Sequence, residues 1–242
     1  MPSPTYSIVI PCFNEGVSLE SVVTDIISTF DASEFAGDYE LIVVDDGSSD
    51  NSWDVIETLT STHPHVHGVR RKANGGMWRA IPSGFAKISG QFMSYLPADG
   101  EITATESLKL MRLSSEADIV ISERISTDNN VKKSVRPWYR EFLSWGQRSL
   151  TRILLGCDIS KAEGIFLIRW SVFAPYATAP RDDNVLFLEL LARGLTGQYR
   201  VAATTMNYTL RRSGRTKTVN LPHILGTFFD LIRLRYRLLK QR

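Results

Sequence analysis

Apolar residues recur along this chain in two alternating rhythms. Residues 7–11 form a short β-rich run. Residues 17–30 then carry Val17, Leu19, Val22, Val23, Ile26, Ile27 and Phe30 at the spacing of a helix with one buried face. An apolar run over 40–44 reads as a second strand, 51–62 as a helix and 66–70 as a third strand. Residues 77–88 read as a helix in which Pro82 must sit in the first turn or kink the axis. A fourth strand over 91–96, a helix over 105–113 and a fifth strand over 118–122 follow. This alternation predicts an α/β fold, with a mostly parallel sheet covered by helices on both faces. Helices over 145–155 and 185–193 and strands over 163–169 and 199–204 complete the pattern.

The polar residues fall at the strand ends. Asn14 and Glu15 follow the first strand, Asp45 and Asp46 the second, and Asp99 and Glu101 the fourth. Ligands on parallel sheets bind beyond the carboxyl ends of the strands, so three acidic clusters at equivalent places point to a site. Leu96-Pro97-Ala98-Asp99-Gly100-Glu101 sets two carboxylates around a glycine turn. Alone such a turn is commonly just solvated, but hard oxygen ligands at the end of a buried strand suit Mg²⁺ or Mn²⁺. Asp45 and Asp50 have a structural alternative as turn or helix-capping residues.

The last element, 221–239, places Leu221, Leu225, Phe228, Phe229, Ile232, Tyr236 and Leu239 on one helical face. Asp230, Arg233, Arg237 and Lys240 lie opposite, and Arg235 interrupts the apolar side. A basic helix with an apolar face suits a membrane interface, and equally a helix packed on the protein body or in a dimer.

Charge and composition sharpen this picture. The 242 residues suffice for one full α/β domain or two small ones, at an ordinary globular 43% hydrophobic and 22% charged. Net charge is only +2, but nine Lys/Arg against Asp230 from Arg211 onward put +8 in the tail and leave −6 for the rest. A basic tail on an acidic body suggests an anionic partner or surface; a membrane surface is expected, a nucleic acid is not. Cys12 and Cys157 make neither a zinc signature nor a disulfide framework and read as buried thiols in a reducing compartment. The N-terminus lacks the pattern of a signal peptide, and no apolar stretch is long enough to span a bilayer. The expectation is a cytoplasmic protein, peripherally attached at the cytoplasmic face of a membrane.

Ile8-Val9-Ile10-Pro11-Cys12-Phe13-Asn14-Glu15, then Val43-Val44-Asp45-Asp46-Gly47-Ser48-Ser49-Asp50, then Asn74-Gly75-Gly76 with Ala80, Gly84, Ala86 and Gly90, resemble the inverting family-2 glycosyltransferases of GT-A fold. The resemblance implies a GT-A (Rossmann-like) domain over 1–218 and a separate amphipathic helix over 219–242. It implies that Pro11, Phe13, Glu15, Val44, Asp46, Ala98 and Asp99 bind a nucleotide diphosphate sugar, GDP-mannose or a UDP-hexose. The family usually carries Asp-x-Asp after the fourth strand. Here Pro97 replaces the first Asp, so the metal role passes to Asp99 and Glu101, with Asp99 also counted as catalytic.

The second half is similar to the dolichol- and polyprenyl-phosphate mannose synthases. The resemblance rests on the strand ending at Arg124, on Arg140-Glu141-Phe142-Leu143-Ser144, and on Arg211-Arg212-Ser213-Gly214-Arg215-Thr216-Lys217. It implies that Arg124, Arg140 and Ser144 bind an acceptor phosphate, the two arginines acting in catalysis, and that Arg211 and Lys217 contact the donor. Gln147 and Ser160 depart from residues common there. Arginine binds phosphate through paired bonds, and several are needed to balance a dianion. A phosphate monoester, with a second pKa of about 6, is already anionic and needs no general base. Two other readings remain: a hydroxyl acceptor of a polysaccharide or glycan, with Glu189 as base unless it is an ion-paired acid, and a non-catalytic nucleotide-sugar-binding module.

Overall fold

Ile8, Val9 and Ile10 in one run and Leu41, Ile42, Val43 and Val44 in another are completely buried. Successive strand residues point to opposite faces, so unbroken burial means a sheet covered on both sides. A computed structural model describes residues 3–125, 149, 151–155, 164–177, 186–207 and 221–240. Its elements are β1 (Tyr6–Cys12), α1 (Leu19–Asp31), β2 (Tyr39–Asp45), α2 (Ser52–Thr62), β3 (Val66–Arg70), α3 (Met77–Phe85), β4 (Phe92–Tyr95), α4 (Ala104–Arg112), β5 (Ile119–Ile125), β6 (Phe166–Arg169), α5 (Trp170–Ala177), α6 (Leu186–Leu195), β7 (Val201–Asn207) and α7 (Leu221–Lys240).

The sheet has seven strands in the order β3-β2-β1-β4-β6-β5-β7. β1 pairs in parallel with β2 and β4, and β2 with β3. β6 runs antiparallel between β4 and β5, and β7 lies parallel to β5. The α/β, mostly parallel architecture read from the sequence is the one found. β5 keeps the common direction but does not neighbour β4, because a strand from 40 residues later slots between them. Side chains latch this insertion: Ser94 Oγ donates to the Phe166 carbonyl at 2.6 Å, and Ser122 Oγ to that of Ile165 at 2.5 Å. Rings of Phe85, Phe166, Phe173 and Phe187 then join α3, β6, α5 and α6 in one cluster, the Phe166–Phe187 centroids 4.4 Å apart.

Local boundaries shift for identifiable reasons. α1 starts at Leu19 instead of residue 17, because Ser18 and Leu19 N–H groups both turn back to the Glu15 carbonyl at 2.9 Å and Val17 is left fully exposed. Pro82 lies inside α3, beyond the first turn, and the helix continues to Phe85.

The last helix packs on the body through residues the sequence pattern did not single out. Leu231 and Leu234 are buried against Leu155 and Ala192, with Leu238 partly buried alongside. Arg237 Nη1 stands 3.9 Å from Glu189 on α6. Phe229, Ile232 and Tyr236, from the face predicted to be apolar, are 57%, 42% and 61% exposed.

α3 lies very close to the sheet at Gly84. A Cβ there would meet Val9 Cγ1 at 2.5 Å and Val44 Cγ2 at 3.0 Å. Helix propensity alone favours Gly84→Ala by roughly 1 kcal/mol. Overpacking a core costs about 1–3 kcal/mol, and here it should win. We expect Gly84→Ala to lower the thermal midpoint by a few degrees, at roughly 2–4 °C per kcal/mol, as read by circular dichroism; an increase would show that α3 can move off the sheet.

Candidate active site

Parallel pairing brings four chain segments to one edge. Cys12 is in register with Asp45, Asp45 with Arg70, and the Leu96 N–H bonds to the Val9 carbonyl at 2.9 Å. The residues following β1, β2, β3 and β4 therefore face a common space at the carboxyl ends of the strands.

The first two loops are stitched together. Asn14 takes a left-handed backbone, φ 57°, which an Asn accepts more readily than most side chains. Its N–H donates to Ser48 Oγ and its Oδ1 accepts the Ser49 N–H, both at 2.9 Å. The Glu15 N–H donates to Ser52 Oγ at 3.0 Å, and the Gly16 N–H to Asp50 Oδ2 at 3.0 Å. Asp50 Oδ1 also accepts the Ser52 N–H at 3.0 Å, so Asp50 is a turn-closing residue at the start of α2. Burial acts to raise its pKa, but the bonds from Ser52 and Gly16 outweigh it and hold the carboxyl below its usual value. Gly47, at φ 74°, passes where a Cβ would strike the backbone of Ala73 at 2.8 Å, so only glycine fits between these loops.

Asp45 is fully buried; its Oδ1 accepts the Ser48 N–H at 2.9 Å and its Oδ2 faces Arg70 Nε at 3.6 Å. Arg70 in turn stacks over Trp53, 5.2 Å from the ring centre. Asp46 is also buried, and its carboxylate organises the loop before α3. It accepts the Gly76 N–H at 2.7 Å and the Gly75 N–H at 3.1 Å, and pairs with Arg71 Nη1. Arg71 was not among the residues singled out from the sequence. It directly follows the third strand, and the positional rule that marked the acidic clusters applies to it equally. Its backbone N–H bonds to the Asp45 carbonyl at 2.9 Å, which brings its side chain back to Asp46.

The electrostatic field shows at Cys12. Burial, reinforced by Asp45, Asp50, Glu15 and Asp46, pushes its thiol up to about 12, so it is a protonated core residue. Cys157 lies outside the described residues. An edge with this much negative charge favours cationic groups.

After β4, Ala98 is buried while Pro97, Asp99, Gly100 and Glu101 are partly accessible. The Glu101 N–H donates to Asp99 Oδ1 at 3.1 Å, folding both acids onto one turn. Among the described residues no three His, Cys, Asp or Glu side chains gather into a metal cage. Two carboxylates suit Mg²⁺ or Mn²⁺ when substrate phosphates supply other ligands.

Of the remaining sequence candidates, Pro11 is buried in β1, Phe13 and Glu15 are half-buried on the first loop, and Val44 is buried under α3, against Gly84. Arg124 stands near the carboxyl end of β5, in register with Met206 of β7; its side chain is outside the described residues. Arg140, Ser144, Gln147, Ser160, Arg211 and Lys217 also lie outside them. Glu189 is buried and bonded by Arg193 Nη2 at 2.7 Å and Nε at 3.3 Å, with Arg237 close by. It is the ion-paired acid of the two alternatives.

Comparison with known proteins extends the picture. The chain is 29% identical over 238 residues to a dolichol-phosphate mannosyltransferase of Pyrococcus furiosus, covering 97% of this chain and 63% of the relative. It is 32% identical over 234 residues to an undecaprenyl-phosphate 4-deoxy-4-formamido-L-arabinose transferase of Yersinia pestis, covering 96% of this chain and 67% of that one. The chain thus spans about two thirds of the length of these relatives. The solved glucosyl-3-phosphoglycerate synthase of Mycobacterium tuberculosis, in complex with Mn²⁺, UDP-glucose and phosphoglyceric acid, superposes with a TM-score of 0.65 at 18% identity over 96% of this chain and 80% of that chain. The fold is GT-A. The model of glycosyl transferase family 2 matches residues 7–168, the stretch that builds the acidic edge from β1 to β6, and the chain belongs to that family.

Proposed function

We propose that the protein is an inverting glycosyltransferase that moves a hexose, mannose first among the candidates, from a nucleotide diphosphate sugar to a polyprenyl or dolichyl phosphate. The observation that carries the acceptor is the similarity, along nearly all of this chain, to relatives named for different sugars but for one class of lipid phosphate. The sugar varies between those names and the acceptor class does not. GDP-mannose or a UDP-hexose is the donor, and the enzyme works at the cytoplasmic face of a membrane.

In this reading the edge formed by Pro11, Phe13, Glu15, Val44 and Asp46 receives the nucleotide. Carboxylates serve there because base N–H groups and ribose hydroxyls are donors. Val44 is enclosed by α3, so its part falls to its main chain. Asp99 and Glu101 would hold Mg²⁺ or Mn²⁺, with Ala98 lining the turn. A bound divalent cation supplies charge neutralisation for the leaving diphosphate. Arg211 and Lys217 contact the donor. Arg124, Arg140 and Ser144 fix the acceptor phosphate, whose oxygen attacks the anomeric carbon as the bond to the diphosphate oxygen breaks on the opposite side. The acceptor is already ionised, so no side chain removes a proton, and positioning supplies most of the rate. The engagement of Glu189 by Arg193 counts against a hydroxyl acceptor served by Glu189 as base.

Purified protein with Mn²⁺ or Mg²⁺ and a short-chain polyprenyl phosphate is expected to release nucleotide diphosphate and form the lipid-linked sugar from one of these donors. No product from any common nucleotide sugar would sink the proposal. Asp99→Asn should lower kcat by about 100-fold, equivalent to about 2.7 kcal/mol of transition-state stabilisation, and chelation with EDTA should match it. Wild-type turnover in EDTA would remove the metal role.

Asp46 has two tasks here, donor contact and loop organisation. Asp46→Ala leaves Arg71 and two loop amides without their acceptor, and breaking a buried pair of this kind costs about 3 kcal/mol. We expect a lower thermal midpoint together with loss of nucleotide-induced stabilisation. Arg71→Ala should lower the midpoint less and retain some stabilisation by nucleotide, since the amide bonds to Asp46 remain. Equal loss in both variants would make Asp46 a loop anchor alone.

A further inference from the structure

β6 separates the turn of Asp99 and Glu101 from Arg124. It lies between β4 and β5 and runs antiparallel to both. Its Leu167 is the partner of Ser94 on β4 and of Val120 on β5, so those two residues stand level across the sheet. Four residues further along each chain come Ala98, beside Asp99, and Arg124. The acidic turn and the main chain of Arg124 therefore stand near one level, with the line of a single strand between them. Neighbouring strands lie about 4.8 Å apart, so that line leaves a gap of about 10 Å.

The start of β6 has little slack. The paired registers stop at Ser94–Leu167 and Ile121–Phe166. Beyond them the join passes to Gly164 and Ile165. The Gly164 N–H donates to the Ser122 carbonyl at 2.9 Å, and the Gly164 carbonyl accepts the Tyr95 hydroxyl at 3.4 Å. One residue thus reaches from β4 to β5. Ser122 Oγ donates to the Ile165 carbonyl at 2.5 Å and lies 3.1 Å from Met206 Sδ on β7. A Cβ on Gly164 would run into Ser122 Oγ and Met206 Sδ, so this segment is seated as closely as a chain can be. Ser122 and Tyr95 are both buried. Ser122 stands two residues before Arg124, and Tyr95 four before Asp99.

We propose that Ser122 and Tyr95 are positioning residues: their hydroxyls hold Gly164 and Ile165 as a spacer, which sets the gap the sugar crosses from a donor beside Asp99 to an acceptor at Arg124. Buried as they are, they act through the strand ends and not on substrate. In-line displacement needs reacting atoms about 3–3.5 Å apart and aligned, and a misplacement of about 1 Å costs about 100-fold in rate. Loss of a hydroxyl frees the end of β5 to shift against β6. It leaves alone the loops that face the nucleotide, which are tied to one another by Asn14, Ser52 and Asp46. The inference rests on the transferase reading, with Arg124 on the acceptor side.

The test is steady-state transfer from the accepted nucleotide sugar to a short-chain polyprenyl phosphate, with affinity for the nucleoside diphosphate and Mn²⁺ read separately by calorimetry. Ser122→Ala and Tyr95→Phe should each lower kcat/KM for the acceptor by about threefold, and together by about tenfold. Nucleotide affinity should stay within about twofold of wild type. Ser7→Ala is the comparator. Ser7 is equally buried, and its hydroxyl donates to Glu40 Oε1 at 2.5 Å near the other ends of β1 and β2. It should lower the thermal midpoint yet keep wild-type acceptor kinetics well below that temperature. The single variants decide the matter if the double one does not fold. Wild-type acceptor kinetics in both single variants, or the same acceptor loss in Ser7→Ala, would overturn the spacer and leave the transferase reading standing. Transfer to a glycan hydroxyl in place of the lipid phosphate, with the loss still confined to the Ser122 and Tyr95 variants, would reject the lipid acceptor and keep the spacer. No transfer to either acceptor would reject both.

Discussion

β1 is hydrogen-bonded in parallel to β2 on one side and to β4 on the other, and the site depends on that arrangement. Neighbouring parallel strands end together, so every loop leaving them begins at the same edge. Sequence positions as distant as Asn14, Asp46 and Asp99 thereby share one side of the protein. The buried, β-branched run of β1 suits this central place, since a strand inside such a sheet is covered on both faces. The close seat of α3 at Gly84 draws its leading loop toward this edge, where the amides of Gly75 and Gly76 reach Asp46.

The edge concentrates negative charge. Asp45, Asp46, Asp50 and Glu15 all act on the Cys12 thiol. Some of that charge is answered within the protein, by Arg70 at Asp45 and Arg71 at Asp46, and by backbone N–H groups at Asp50. The turn carrying Asp99 and Glu101 is more accessible than the buried pair. A division follows between the buried acids that organise loops and the more accessible acids of the turn over 99–101.

The C-terminal part of the chain changes what the domain can meet. β6 enters antiparallel between β4 and β5 and carries the chain on into α5, while α6 supplies Glu189, which faces both Arg193 on its own helix and Arg237 on α7. That pair, with the cluster around Leu231 and Leu234, joins the last helix to the protein body. The acidic edge and the last helix are therefore parts of one packed unit among the described residues.

Much of this was legible in the sequence, for physical reasons. Hydrophobic period distinguishes strands from helices, and buried parallel strands are unusually uniform, so 8–10 and 41–44 announced themselves. Acids at the ends of such strands follow from topology, and the glycine-rich and acidic motifs identified the family. The role of Arg71 was not legible, because it depends on a long-range contact with Asp46 that no local pattern encodes. Nor was the place of β6, since strand order is set by pairing across more than 40 intervening residues. On α7 the wheel disclosed an apolar face but not its destination. Periodicity measures how apolar groups are arranged around a helix axis; only packing decided that Leu231 and Leu234 turn inward while Phe229, Ile232 and Tyr236 turn out.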